Sequence, residues 1–193
     1  MKQHARQAAD SLKFLALCLV VCGGLYSFAV LGISRLCFPV QADGSMTETA
    51  AGQVSTLAGT ADRSAGHLWG RLQKLQTAQK EDGTWYVVGV PASHDVQDPA
   101  YLAAREAEIR KVQAASPEAE EDVPEELVTW SASGCDPDLS LDAALWQVPR
   151  LARETGLDET RVEEIIRAAQ NPGMLAAPTV NVLRVNMALD QAR

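Results

Sequence analysis

The chain has 193 residues, with 17 Lys and Arg against 25 Asp and Glu, a net charge of −8 and a pI of about 4.9. That sign argues against a nucleic-acid binder, whose phosphate partners require a basic face, and the length allows one modest domain beside any membrane segment. Of the four cysteines, Cys18, Cys22 and Cys37 lie in or beside one apolar run, so Cys135 alone is left to a domain and no disulfide framework follows.

The apolar run is Phe14 to Ile33, twenty residues with no charge and no amide. As a helix rising about 1.5 Å per residue, it spans the roughly 30 Å hydrocarbon core of a bilayer. Lys2, Arg6 and Lys13 precede it against the single acid Asp10, and Arg35 follows closely. The positive-inside tendency then predicts a cytoplasmic N-terminus and an extracytoplasmic remainder. A cleaved secretory signal is the rival, because Ser27-Phe28-Ala29 places small residues two apart. The apolar character runs on through Val30, Leu31, Ile33, Leu36, Cys37 and Phe38 to Pro39, longer than a signal core, and favours a retained helix. The expected division is a cytoplasmic segment 1–13, a transmembrane helix 14–38 and an extracytoplasmic domain 39–193. Ala16, Val20, Gly23 and Ser27 fall on one face at helical spacing, and Gly24 widens the patch. Small residues of this kind let another membrane helix approach closely, although membrane helices also tolerate glycine without any partner.

Beyond Arg35 the balance turns strongly acidic. Removing Lys2, Arg6, Lys13 and Arg35 from the basic residues, and Asp10 from the acidic ones, leaves 13 against 24. Pro39 ends the membrane helix and Asp43-Gly44 marks a turn. Met46 to Thr77 is rich in Ala, Gly, Ser and Thr without a sustained period, and reads as mostly irregular around the cluster Gly66-His67-Leu68-Trp69-Gly70-Arg71. Thr84 to Val90 is aromatic and β-branched between Gly83 and Pro91, which predicts a strand. Asp98 as cap and Pro99 at the first helical position predict a helix to about Ala115, with Leu102, Ile109 and Val112 on one face and a Glu106–Arg110 pair. Pro117 to Glu126 reads as an acidic solvated linker, one that also concentrates cations if it lies near an ion entrance. Leu127 to Ser133 alternates like a half-buried strand and ends in the turn Ser133-Gly134-Cys135-Asp136-Pro137.

Ser140 caps a second helix with the stripe Ala144, Leu145, Val148, Leu151 and Ala152, and Pro149 is expected to bend or split it. Asp158 caps a third, where Val162, Ile165, Ile166 and Ala169 recur at helical spacing. After Pro178 a last helix runs from Asn181 to about Ala192, with Val182, Val185 and Leu189 inward. The fold class predicted is α+β: one N-terminal transmembrane helix followed by a single mixed extracytoplasmic domain with a helical C-terminal part.

Leu127-Val128-Thr129, Ser131-Ala132-Ser133-Gly134, Asp136-Pro137, Ala143-Ala144, Gln147, Arg150, Pro178-Thr179-Val180-Asn181-Val182-Leu183 and Asn186-Met187-Ala188-Leu189-Asp190 follow one another in an order and spacing that resemble KdpC, the C subunit of the Kdp potassium-transporting ATPase. The single span and Gln41-Ala42-Asp43-Gly44-Ser45 after it extend the resemblance to about half the chain. The middle departs from the family: His67-Leu68-Trp69-Gly70-Arg71-Leu72-Gln73 keeps Gly-Arg of an aromatic-rich Gly-Arg-Pro-Ser-Ala segment and loses the rest. Gly89-Val90-Pro91-Ala92-Ser93-His94-Asp95 stands where a Ser-Gly-Gly-Ser-Asn-like piece belongs.

The resemblance implies a non-catalytic accessory subunit in the bacterial inner membrane. Its implied partners are a channel-like potassium-translocating subunit, an ATP-hydrolysing P-type subunit and a small membrane peptide. It also implies the role described as a catalytic chaperone raising the pump's affinity for ATP. The complex would use ATP, Mg and K, with no cofactor bound by this chain. A direct contact with nucleotide conflicts with the topology, because only about thirteen residues precede the span. The runner-up is a membrane-anchored extracytoplasmic enzyme or ligand-binding module with no pump attached.

Candidate chemistry is sparse. No Gly-x-x-x-x-Gly-Lys-Ser/Thr loop occurs, nor the Asp-Lys-Thr-Gly of a phosphorylated pump. Ser93-His94-Asp95 imitates a triad, but adjacent side chains diverge and triads are assembled from distant residues. His67, His94 and Cys135 lack zinc-site spacing, so neither catalytic nor metal residues are assigned. The interface candidates are Gly23, Gly24 and Ser27 in the span, and Ser131, Ser133 and Gly134, whose hydroxyls and glycine suit an interface or anion nest as well as a plain turn.

Overall fold

The computed structural model describes residues 2–49, 52–119, 121–171 and 177–193. Residues 50 and 51 of the stretch expected to be irregular, 120 of the acidic linker and 172–176 of the loop before Pro178 lie outside the described residues. The chain divides into two compact units, 1–47 and 48–193.

The first unit is one helix long and apolar enough to cross a membrane, Arg6–Cys37. It is built from α1 (Lys2–Cys18), a π-helical stretch (Leu19–Tyr26) and α2 (Ser27–Cys37). The π stretch contains Gly23-Gly24, whose missing side chains let the backbone widen. Ser27 Oγ donates to the Cys22 carbonyl five residues back at 3.2 Å, supporting that wider turn. This alters the face expected from a 3.6-residue period. With i→i−5 bonding more residues fill each turn, so Gly23 rotates away from Val20. Residues four apart, Val20 with Gly24 and Gly23 with Ser27, stay close to common lines. Pro39 then opens the short α3 (Pro39–Ala42), and Asp43-Gly44 turns the chain with Gly44 at φ 83°.

The expected irregular stretch holds more structure than its composition suggests. β1 (Met46–Thr49) and β2 (Gly52–Ser55) form one two-stranded sheet, and β3 (Leu75–Gln79) pairs antiparallel with β4 (Trp85–Gly89), Leu75 opposite Gly89 and Gln79 opposite Trp85. β4 matches the expected strand, whereas β3, LQTAQ, carries too few β-branched residues to stand out. The β3–β4 ribbon exposes apolar surface, with Trp85 66% and Val87 61% accessible. α4 (Pro99–Ala115) starts as predicted, Asp98 Oδ1 accepting from the Ala100 amide at 2.9 Å, and Arg110 meets Glu106 at 2.6 Å. Its apolar face is shorter than expected: Val112 is buried and Ile109 packs against the core, but Leu102 is 48% exposed.

Two readings of the middle are overturned. The acidic linker packs rather than floating: Glu118 pairs with Arg153, Glu126 pairs with Arg71 at 3.2 Å and accepts from the Ser140 amide, and Val123 lies against the core. Leu127 to Ser133 forms no strand; Glu125–Leu127 is a 3₁₀ turn and the segment makes a single parallel bridge, Leu72 to Trp130. Leu127 and Val128 are both buried, which an alternating strand cannot achieve.

The C-terminal part follows its helical signals. α5 (Leu141–Leu145) and α6 (Val148–Thr155) are the one predicted helix split just before Pro149, with Ser140 Oγ capping at 3.3 Å. α7 (Glu159–Ala168) and α8 (Val182–Ala192) bury the residues expected, Val162, Ile165 and Ile166, then Val182, Val185 and Leu189. These helices accompany a sheet too short to read from sequence, β5 (Asp138–Ser140) before α5, and β6 (Gln170–Asn171) and β7 (Thr179–Asn181) between α7 and α8, in the antiparallel order β5-β7-β6. Leu139 and Val180, opposite each other and fully buried, join this sheet to the helical core. Each such leucine contributes about 1.5–3 kcal/mol by leaving water.

The β3–β4 ribbon is rooted on the turn at Gly134. The Gly134 carbonyl accepts from Lys74 at 3.0 Å, and Val90 donates to the Lys74 carbonyl at 2.8 Å. Gly134 has φ +77°, and a Cβ there would strike the Val90 backbone. Gly134→Ala is therefore expected to cost about 2–4 kcal/mol. Urea unfolding of the full chain in detergent measures it, and an unchanged midpoint would contradict the packing described.

Candidate functional site

The segment Ser64 to Gly70 has no regular structure, yet it crosses the core. Leu68 is fully buried and Trp69 is 6% exposed. A buried backbone without ladder partners needs others, and side chains of α5–α6 and α8 supply them. Asn186 accepts from the Leu68 amide at 2.7 Å and donates to its carbonyl at 3.2 Å. Gln147, in the break before Pro149, accepts from the Trp69 amide and donates to the Trp69 carbonyl, both at 2.9 Å. The two carboxamides thus replace neighbouring strands, each presenting one acceptor and one donor to the N–H and C=O of one residue.

Arg150 completes the arrangement. It is 2% exposed, donates to the carbonyls of Ala65 at 2.5 Å and His67 at 2.9 Å and to Gln147 Oε1 at 2.7 Å, and lies 4.4 Å from the Trp69 ring. Burial draws its guanidinium down to about 10, with Glu154 opposing and Arg63 adding to the shift. It stays charged at physiological pH. Arg63 sits 5.4 Å from the same indole and donates to Gly70 and Leu127 carbonyls. The Trp69 ring is thereby flanked by two guanidinium groups.

Beside this strap lies a cleft of about 500 Å³ with walls from Val54, Leu75, Val87, Leu183 and Met187. Its polar end is Asp62, His67 and Asp190. His67 Nδ1 lies 2.5 Å from Asp62 and 2.8 Å from Ser64 Oγ, and Nε2 lies 3.0 Å from Asp190. Burial alone would lower the His67 value, but hydrogen bonds to Asp190 and Asp62 hold it above the ordinary imidazole range. Burial likewise opposes ionisation of Asp62, and hydrogen bonds from Ser64 and His67 overcome it, leaving that carboxyl below its usual value.

The structure separates the residues singled out in the sequence. Ser131 is buried and uses its hydroxyl inside the turn, accepting from Asp136 N at 3.0 Å and meeting Ser133 Oγ at 3.2 Å. Ser133 also accepts from Cys135 N at 3.3 Å, and Gly134 supplies the turn's positive φ. His94 belongs to a cluster of rings, 5.4 Å from Tyr101 and 5.3 Å from Trp130, apart from His67. Among the described residues no group of three His, Cys, Asp or Glu side chains is placed to hold a metal ion. The Asp62–His67–Asp190 contact was not read from sequence, since 123 residues separate His67 from Asp190. The flanking of a lone histidine by Ser and Asp in Asp62-Arg63-Ser64 was the available local signal.

Among the described residues one N-terminal helix is long and apolar enough to cross a membrane, and it precedes an α/β unit braced by buried side-chain amides and a guanidinium, which defines a candidate membrane-anchored mixed α/β protein. The family model described as K+-transporting ATPase, c chain (KdpC), matches residues 8–191, and the chain belongs to that family. It is 33% identical to the potassium-transporting ATPase KdpC subunit of Clostridium botulinum (strain Alaska E43 / Type E3), covering 98% of both chains. It is 36% identical to that of Janthinobacterium sp. (strain Marseille), over 99% of this chain and 100% of the relative. With the KdpC subunit of Rhodopseudomonas palustris (strain ATCC BAA-98 / CGA009) the identity is 35%, over 100% and 98%. Coverage of this extent includes the middle, His67 to Asp95, where the sequence departs from the family's motifs.

Gln147, Arg150 and Asn186, which carry the resemblance, are the residues that hold the strap. Arg150→Met leaves the Ala65 and His67 carbonyls without their donor in the interior and is expected to cost about 3–5 kcal/mol. Arg150→Lys restores the charge without the planar fork and is expected to recover less than half of that loss. Urea unfolding of both variants in detergent is the check, and a methionine variant as stable as the parent would contradict the role assigned.

Proposed function

We propose that this chain is the accessory, non-catalytic subunit of a high-affinity ATP-driven potassium uptake complex. In this reading it supports assembly and activity of a channel-like potassium-translocating subunit and an ATP-hydrolysing P-type subunit, together with a small membrane peptide. The observation that carries the reading is the use of the family's polar residues: Gln147, Arg150 and Asn186 turn inward onto the chain's own backbone instead of converging on open space. Such side chains build a rigid body to be held by others. The exposed Trp85 and Val87 of the ribbon and the small residues of the span offer apolar surface on which partners can rest.

The catalytic-chaperone role then works through the complex and not through a nucleotide held by this chain. The positive N-terminal flank supports a domain on the outer side of a bacterial inner membrane, away from ATP. An alkaline phosphatase fused to Arg193 is expected to be active. A fusion that is expressed, membrane-bound and inactive would reverse the orientation.

Docking through the span rests on Gly23, Gly24 and Ser27. Gly23→Leu with Ser27→Leu fills the small-residue groove while keeping the helix apolar enough to insert. The expected result is normal membrane insertion with several-fold less co-purification of the potassium-translocating and ATPase subunits, and poorer growth at low potassium. An unchanged yield of complex would mean that the span only anchors. A chain that recovers no large membrane partner even without substitution would favour a stand-alone module.

A further inference from the structure

His67 joins two distant parts of the chain at the polar end of the cleft. Asp62 comes from the segment that forms one wall, and Asp190 from the last turns of α8. The distances of 2.5 Å from Nδ1 to Asp62 and 3.0 Å from Nε2 to Asp190 place a carboxylate on each ring nitrogen. A neutral imidazole has one N–H and must turn a lone pair toward the other carboxylate. Only the imidazolium donates to both. A different partner stands beside Nδ1 for the neutral form: Ser64 Oγ, at 2.8 Å, carries a hydroxyl proton that a bare nitrogen can accept.

We propose that His67 is a proton-operated clasp on the cleft. As imidazolium it ties Asp62 to Asp190. When it loses the Nδ1 proton to solvent, reached through its one-fifth exposed side chain, Nδ1 accepts from the Ser64 hydroxyl, and Asp62 is released from the ring while it keeps the bond from the Ser64 amide within its own segment. The wall from Ala58 to Asp62 loosens, while α8 remains fastened because Arg193 donates to the Gly66 carbonyl in either state.

The charges around the ring are consistent with this division. Asp62 and Arg63 come from its own segment, and Arg63 is engaged by Glu108 at 3.3 Å. Arg150 of α6, with Glu154 nearby, is directed at the His67 carbonyl and not at the ring. Asp190 of α8 and Arg193, the residue after α8, lie 3.6 Å apart. Cys135, in the turn with Gly134, lines the cleft, and Glu48 of β1 lines a neighbouring hollow that shares Thr49, Met187 and Asp190 with it. The raised His67 value gives the sign: the contribution is complete below the unfolded value of about 6.5 and is lost as pH rises through the folded value. The lowered Asp62 value sets the acid limit, since that contribution is present above about 3.9 and lost as pH falls through the folded carboxyl value.

The test combines imidazole NMR with hydrogen exchange on the full chain in detergent micelles, exchange being normalised to the intrinsic rate at each pH. His67 is expected to titrate above the ordinary histidine value. Exchange across residues 58–62 is expected to quicken about three- to tenfold between pH 6 and pH 8.5. Asp62→Asn should lower the His67 titration and give fast exchange at both pH values. Ser64→Ala should move the titration upward, because the neutral ring loses its donor. His67 titrating at or below the ordinary value, a flat wild-type profile, or an Asp62→Asn profile equal to wild type would each overturn the clasp.

Discussion

The domain depends on one buried guanidinium. Arg150 binds two carbonyls and a carboxamide and lies on the Trp69 ring, so that a segment with no helix and no ladder crosses the core with its peptide groups satisfied. Gln147 and Asn186 act with it, each treating one residue of the strap as a strand would. A buried charge is costly unless every hydrogen-bonding position has a partner. That cost gives the arrangement its selectivity, because the strap fits in one register: moving Leu68 or Trp69 by one residue leaves carboxamide, guanidinium and peptide groups unmatched together.

Position along the chain explains how this is assembled. Pro149 breaks the helix after Leu145, and the break brings Gln147 and Arg150 onto the side facing the strap. Asn186 comes from α8, placed by the β7 strand that pairs with β5 and β6. The small sheet therefore aligns the two helical sources of the clamp. The ribbon β3–β4 is rooted at Gly134 and Lys74 and lines the cleft with Leu75 and Val87, while Trp85 remains largely exposed.

What could be read from sequence was local. Asp98-Pro99 set the start of α4, Pro149 split a helix, and the spacing of Val162, Ile165 and Ile166 marked a buried face. What could not be read was non-local. β5, β6 and β7 have two or three residues each and exist through pairing with distant chain. Leu127 to Ser133 alternates in hydrophobicity, but its neighbours form a buried turn and not a sheet, so the period misled. The acidic linker met arginines that lie far away in sequence, Arg71 and Arg153. In the site, Gln147, Arg150 and Asn186 were visible as pieces of a family pattern, while their use as backbone partners was not. Ser131, Ser133 and Gly134 build the turn that the sequence offered there, whereas the π-helical stretch shifts the alignment of Gly23 with Val20.

Amide exchange by NMR at Leu68 and Trp69, in the full chain in detergent, tests the central claim most directly. These two N–H groups lie in a segment without regular structure, and loops ordinarily exchange fast. If Asn186 and Gln147 hold them as described, they exchange as slowly as the amides of α8 and open only with global unfolding. Exchange at the rate of the ribbon tip, Lys80 to Thr84, would contradict the clamp and the rigid domain built on it.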